Sequence, residues 1–228
     1  MGNPYYDEDG ITIYHGDCVS WLPRLGAYLT PTLTLTDPPY GLNHPTDYAS
    51  RGRSSLGVKT DYAPVRGDDK GPDAAVLRWC LGAGPTILWG ANHYADLLPV
   101  SKSWLVWDKR VQEGKGVNDQ ADGELAWSNA TKGVRIFRHM WNGMWRDSER
   151  GLHLHPTQKP VELMRWCIRK SGVTEGTVLD PYMGAGPVAV AAREAGLRYV
   201  GIEIEEQYCE IAVQRLAQGV LSFDYEKA

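Results

Sequence analysis

Ile11-Thr12-Ile13-Tyr14 alternates apolar and polar positions and stops at Gly16-Asp17, which predicts a short strand. Leu33-Thr34-Leu35-Thr36 repeats the pattern and runs into Asp37-Pro38-Pro39-Tyr40. Two prolines cannot continue a ladder, so that strand ends there. Residues 41–72 are rich in Gly, Ser, Asp and Arg without periodicity and read as a long loop. Residues 73–83 read as a helix and Thr86-Ile87-Leu88-Trp89 as a buried strand. Gly90-Ala91-Asn92-His93 then leads into a short helix. A strand from Ser103 to Trp107 and a polar loop at 109–123 follow. Leu125–Trp127 and Val134–Phe137 suggest two strands in a hairpin, and residues 138–155 read as irregular.

The last third is more regular. Pro160 suits a helix start, and Val161, Met164, Ile168 and Ser171 share one face before a stop at Gly172. A strand over Thr177-Val178-Leu179 meets Asp180-Pro181-Tyr182-Met183-Gly184-Ala185-Gly186, and Pro187 opens a helix ending near Gly196. Tyr199–Ile204 is a strand, and Tyr208, Ile211, Ala212 and Leu216 mark an amphipathic helix. Strand and helix in alternation predict an α/β fold, its sheet mixed but mostly parallel, with helices on both faces. The length of 228 residues fits a single domain over 1–228.

Composition is that of an ordinary globular protein, 43% hydrophobic and 23% charged, which excludes disorder as the main state. No apolar run is long enough to span a membrane, and the start lacks a signal-peptide pattern, so a cytoplasmic location is expected. Cys18, Cys80, Cys167 and Cys209 stand apart, so they read as reduced thiols and no metal site is expected. The net charge of −4 argues mildly against a nucleic-acid partner. Its distribution alters that: residues 41–160 carry 16 basic and 13 acidic residues and five of the six histidines. Such a middle section is compatible with a phosphate-binding surface and equally with a solvated face.

Two motifs carry chemistry. The turn at 180–186 places Gly-x-Gly between a strand and a helix, which lets backbone approach a ligand at the helix N-terminus. Glu203 stands 17 residues past Gly186, near the end of the next strand, where a carboxylate can accept from both ribose hydroxyls. Together they suggest a nucleoside-containing cofactor. Gly184, Gly186 and Ala189 also satisfy a dinucleotide pattern, and a tight turn without a ligand is the structural alternative. Asp37-Pro38-Pro39-Tyr40 lies where a buried strand ends, the edge at which open α/β sheets bind ligands.

With these motifs the chain resembles the DNA amino-methyltransferases that use S-adenosylmethionine and methylate adenine N6 or cytosine N4. Asp37-Pro38-Pro39-Tyr40 matches their catalytic tetrapeptide, the 180–186 turn their cofactor loop, and His155-Pro156-Thr157-Gln158-Lys159-Pro160 the block before it. The order of the motifs is that of the circularly permuted β class, and short phage-borne solitary methylases look similar. The resemblance implies a Rossmann-like methyltransferase fold and a bacterial or phage-infected host cell. Three positions depart from the pattern: Tyr182 replaces Phe, and Ala185 and Pro187 replace Ser and Thr, removing two hydroxyls near the cofactor's methionine end.

By that resemblance Asp37 and the Pro38 carbonyl accept the two N–H groups of the target amine, Pro39 stiffens the turn and Tyr40 stacks on a flipped-out base. Asp17 bonds the cofactor's adenine amino group and Glu203 its ribose. Thr157 and Lys159 face its methionine carboxylate, and Tyr182, Gly184 and Gly186 line the methionine side. Cys18, Asp37 and Asp180 complete the cofactor-binding set. Asp17 also reads as a simple strand-end cap.

DNA contact is expected from 41–72, 109–123 and 132–154, with Arg51, Arg53, Lys59, Lys109, Arg110, Lys132, Arg135, Arg138 and Arg146 as the cations. Trp141 and Trp145, four apart, suit core packing. No separate recognition domain fits, so the double-stranded DNA site is short or a second subunit, as in a homodimer, completes it. Asp at the head of the tetrapeptide favours adenine N6. Cytosine N4, a catalytically silent DNA-binding or partner subunit, and an RNA or protein methylase are the rivals.

Overall fold

The computed structural model describes residues 2–42, 69–110, 121–142, 145–149 and 158–225. Along the chain run β1 (Tyr6–Glu8), β2 (Ile11–His15), α1 (Cys18–Leu25), β3 (Leu33–Thr36), α2 (Ala74–Ala83), β4 (Thr86–Trp89) and β5 (Ser103–Asp108). Then come β6 (Gly123–Ser128), β7 (Arg135–Arg138), β8 (Trp141–Asn142), β9 (Trp145–Arg146) and α3 (Val161–Ser171). The chain closes with β10 (Thr177–Asp180), α4 (Pro187–Glu194), β11 (Arg198–Glu203) and α5 (Glu206–Tyr225).

Nine strands form one sheet in the order β1-β2-β11-β10-β3-β4-β6-β5-β7. The run β2 to β4 is parallel, while β6 enters antiparallel between β4 and β5. The central strands β10, β3 and β4 are buried on both faces, which is why they read as apolar and threonine runs. Val178 faces the helices α3, α4 and α5 with Leu163, Val188, Ala212 and Leu216. Its neighbour Leu179 points the other way, to Leu22 of α1 and Val76 and Cys80 of α2. The alternation of one strand thus places helices on both faces.

The connection β10–α4–β11 steps to one side and β3–α2–β4 to the other. The strand order therefore switches between the neighbours β10 and β3, where open α/β sheets leave a crevice at their carboxyl ends. Both strands deliver an Asp-Pro there, Asp37-Pro38 and Asp180-Pro181, and Thr36 Oγ1 donates to Asp180 Oδ1 at 2.6 Å across the pair.

Several local expectations change. Asp9 and Gly10 both have positive φ, 51° and 77°, and turn β1 back on β2, a hairpin that the Asp-Gly pair signals. Helix α1 forms although it contains Pro23, because Asp17 caps it and Cys18, Leu22 and Leu25 are buried. Strands β6 and β7 do not form a hairpin with each other. β6 pairs with β4 and β5, and β7 lies parallel to β5 at the sheet edge. Within the segment expected to be irregular, β8 and β9 pair antiparallel, with Trp141 opposite Arg146. Pro160 is the residue before α3, not its first turn. Among the described residues no helix is long and apolar enough to cross a membrane, and no group of His, Cys, Asp and Glu could hold a metal ion.

Candidate active site

A cavity of about 380 Å³ occupies the switch point, lined from Asp17 and Cys18 through Tyr182, Gly184 and Glu203 to Asp37, Tyr40 and Lys159. That size suits a small-molecule ligand. Its walls include the apolar side chains of Met164, Met183, Val188, Ile202 and Tyr208.

The β11–β10 side is built largely on backbone. Glu203 Oε2 accepts the Gly184 N–H at 2.8 Å and Oε1 accepts the Glu205 N–H at 2.9 Å. Burial raises its carboxyl above the ordinary value, and these N–H groups oppose the rise. Asp17 lies on the same cavity and caps α1, accepting the Val19 N–H at 2.9 Å. Gly186, in the left-handed region at φ 73°, precedes Pro187 at the N-terminus of α4. Burial, with Asp37 nearby, pushes the Asp180 carboxyl to about 7 although Thr36, Tyr182 and Tyr199 donate to it.

The β3 side is built from side chains. Lys159 donates from Nζ to Asp37 Oδ2 at 2.6 Å and to Tyr40 Oη at 3.0 Å, and lies 3.0 Å from Glu124 Oε2. Tyr40 donates to Asp37 Oδ1 at 2.5 Å. Lys109 pairs with the other oxygen of Glu124. Burial raises the Asp37 carboxyl, with Lys159 opposing and Glu124 adding to it. Burial alone would lower the Lys159 ammonium, but Asp37 and Glu124 hold it above its ordinary value. The Tyr40 ring stacks on His93 with centroids 4.8 Å apart, and passes over Gly90, where any Cβ would fall 1.8 Å from the ring. Gly90, at φ 67°, is thus required on two grounds.

A third element joins the sides. Glu149 accepts from Gln158 at 3.0 Å and from the Val161 N–H at 2.9 Å, pinning the segment that carries Lys159. Arg215 of α5 donates to Glu149 at 2.5 Å and to the carbonyl of Ala185, in the glycine turn, at 2.8 Å.

The model of the family described as DNA methylase matches residues 86–214, more than half of the chain. The chain belongs to the DNA methylase family. It is similar to the type II methyltransferase M.ScaI of Streptomyces caespitosus, at 28% identity over 268 aligned residues that span 95% of this chain and 84% of the relative. A putative methylase of Escherichia coli K12, YubD, is 44% identical over 73 residues, about a third of each chain. Among solved structures, M1.HpyAVI in complex with SAM matches at a TM-score of 0.58 with 22% identity over 90% of this chain and 99% of that one. The cytosine-N4-specific PvuII DNA methyltransferase matches at 0.59 with 11% identity over 92% and 87%. These likenesses support the Rossmann-like methyltransferase fold expected from the resemblance.

In this methylase Asp17, Cys18, Asp37, Pro38, Pro39, Tyr40, Lys159, Asp180, Tyr182, Gly184 and Glu203 gather on the one cavity. Lys159 is engaged by Asp37 and Glu124 rather than standing open for a carboxylate, and Tyr40 rests on His93. Thr157, Arg51, Arg53 and Lys59 lie outside the described residues. Of the cations expected at DNA, Lys132, Arg135 and Arg138 are exposed, Arg138 with Asp108 at 3.2 Å. Arg110 also pairs with Asp108, and Lys109 with Glu124. Arg146 is buried, its guanidinium 4.0 Å from the Trp141 ring centroid.

Sequence reasoning missed Glu124, Glu149 and Arg215. No motif marks them, because each reaches its partner across more than 60 residues of chain or from a strand without a recognisable signature. Gln158 and Lys70 also line the cavity. Gln158 neighbours Lys159 in the matched block and was within reach of the sequence.

Proposed function

We propose that this methylase transfers a methyl group from S-adenosylmethionine to an exocyclic amino group of a base in DNA, adenine N6 before cytosine N4. The observation that carries the reading is the Asp37 carboxylate at the end of β3. It is fixed by Lys159 at 2.6 Å on the rim of a cavity that reaches Asp17 and Glu203. The donor set fits the cofactor: two carboxylates for the amino and ribose groups, and apolar walls for the adenine. When bound, S-adenosylmethionine supplies an electrophilic methyl on sulfur.

Asp17 and Glu203 would bind the nucleoside, and the 182–186 turn would line the methionine side. Neither Ala185 nor Pro187 brings a hydroxyl there, so affinity rests on backbone and charge. An aromatic amine is a poor nucleophile because its lone pair is delocalised into the ring. Asp37 and the Pro38 carbonyl would accept its two N–H groups and orient the lone pair; such fixed geometry is a main source of acceleration. Tyr40 would stack on a base flipped out of the duplex. Asp at the head of the tetrapeptide supports adenine, while the fold of the PvuII enzyme serves cytosine N4 and keeps that base as the second reading.

The test is incubation with unmethylated DNA and labelled S-adenosylmethionine, digestion to nucleosides and identification by mass. N6-methyladenine is the expected product. N4-methylcytosine would keep the chemistry and overturn the choice of base. No methylated nucleoside, from folded protein that binds the cofactor, would overturn the reading.

A further inference from the structure

Strand β6 runs against its neighbours, so its first residues lie at the carboxyl edge of β4, one strand beyond the end of β3. Glu124 is the second residue of β6 and stands opposite Trp107 in the register. Gly123 before it lets β5 approach: a Cβ there would meet the Trp107 carbonyl oxygen at 2.4 Å. Glu124 thereby reaches Lys159 at 3.0 Å, Tyr40 Oη at 3.4 Å and Lys109. Lys109 is held in turn over the Trp107 ring, 4.6 Å from its centroid.

We propose that Glu124 is a positioning residue for methyl transfer, sharing Lys159 with Asp37 so that Asp37 stays oriented and able to take the amino proton. The proposal rests on the amino-methylation reading above. In that reaction the nitrogen–methyl bond forms as the sulfur–methyl bond breaks, and the surplus proton on nitrogen passes to the Asp37 carboxylate. A lysine bound to Asp37 alone would pull the carboxylate's electron density to itself and leave it a poor acceptor. Two carboxylates and two ammonium groups, Asp37, Glu124, Lys159 and Lys109, instead divide the charge.

Glu124 is not itself the base. Burial raises its carboxyl, but Lys159 and Lys109 together outweigh burial and hold it well below the ordinary carboxylate value. Among the described residues the groups facing this pair are Lys109 after β5, Lys159 before α3 and Tyr40 after β3. Tyr94 after β4 and Asp180 on β10 lie within electrostatic reach of Asp37.

The test is the single-turnover rate of methyl transfer to unmethylated DNA against pH, with labelled S-adenosylmethionine and enzyme in excess. For Glu124→Gln the rate falls about tenfold or more while cofactor binding holds. The acidic limb of the profile moves to lower pH, because the carboxylate that raised Asp37 is gone. For Lys109→Met, which sits at the outer edge of the cluster, the limb moves to higher pH, because Glu124 loses its counter-charge. Opposite shifts are what a purely structural role would not give. An unmoved limb in both variants, or shifts of the same sign, overturns the proposal. Should Glu124→Gln fail to fold, Lys109→Met decides alone, and an unmoved limb there overturns it. No transfer by the wild-type protein would instead remove the reading on which the proposal stands.

Discussion

Glu203 and Asp37 stand at the same edge of one sheet, two strands apart, and are held in opposite ways. Glu203 is fixed by backbone N–H groups of residues near it in the fold, Gly184 and Glu205. Asp37 is fixed by side chains, Lys159 from 122 residues away and Tyr40 three residues on, with Glu124 behind them. A site made of backbone and short turns is insensitive to which side chains surround it. A site made of buried charges depends on every member, because removing one leaves another unpaired in a low-dielectric setting. The Glu203 side is thus a cradle held by backbone, and the Asp37 side a cluster of side-chain charges; on the proposed function the first binds the nucleoside and the second serves the transfer.

The sharpest way to break this separation is Arg215→Ala, since Arg215 touches both the glycine turn and Glu149. Glu149, partly buried, would keep Gln158 and the Val161 N–H but lose its guanidinium, at a cost of about 1.5–3 kcal/mol of stability, read by denaturant unfolding. Cofactor affinity and transfer rate should fall together. Glu203→Gln acts on one side alone: an amide cannot accept both N–H groups, a loss of about 1–3 kcal/mol. Isothermal titration should show weaker S-adenosylmethionine binding, while the acidic limb of the pH–rate profile stays in place.

The sequence made the cradle readable for a physical reason. Asp180 to Gly186 and Glu203 fall within 24 residues, and glycines, a strand end and a helix start are local signals. Strands β2, β3, β4, β10 and β11 and helices α2 to α5 were readable likewise, from the period of their apolar positions. The Asp-Pro-Pro-Tyr end of β3 was readable as a motif, but what holds it was not. Glu124 looks like any polar residue at a strand start. Only the antiparallel entry of β6 between β4 and β5 brings it to Lys159, and the expected hairpin of β6 with β7 would have placed it elsewhere. Arg146 shows the converse: a cation expected at DNA is buried against Trp141 by the pairing of two short strands without a strong local signal.

The smallest effect concerns Asp180, which lies between the two sides. Its folded carboxyl sits at about 7, above the unfolded value of about 4. Between those values the folded protein holds a proton that the unfolded chain has lost. Its contribution to stability is therefore present at acid pH and declines as pH rises through the window, then levels off. Asp180→Asn should remove that slope, gaining on the wild type by on the order of 1 kcal/mol from pH 6 to pH 8. Chemical unfolding at each pH measures it.

The decisive measurement is the single-turnover transfer rate of Asp37→Asn beside its affinity for S-adenosylmethionine. With Asp37 as the acceptor that orients the amine, transfer falls by about 10²–10³-fold or more, cofactor affinity changes little, and the wild type yields N6-methyladenine. Transfer within a few-fold of the wild type, by a folded variant that binds the cofactor, would contradict the role of Asp37 and of the cluster built around it.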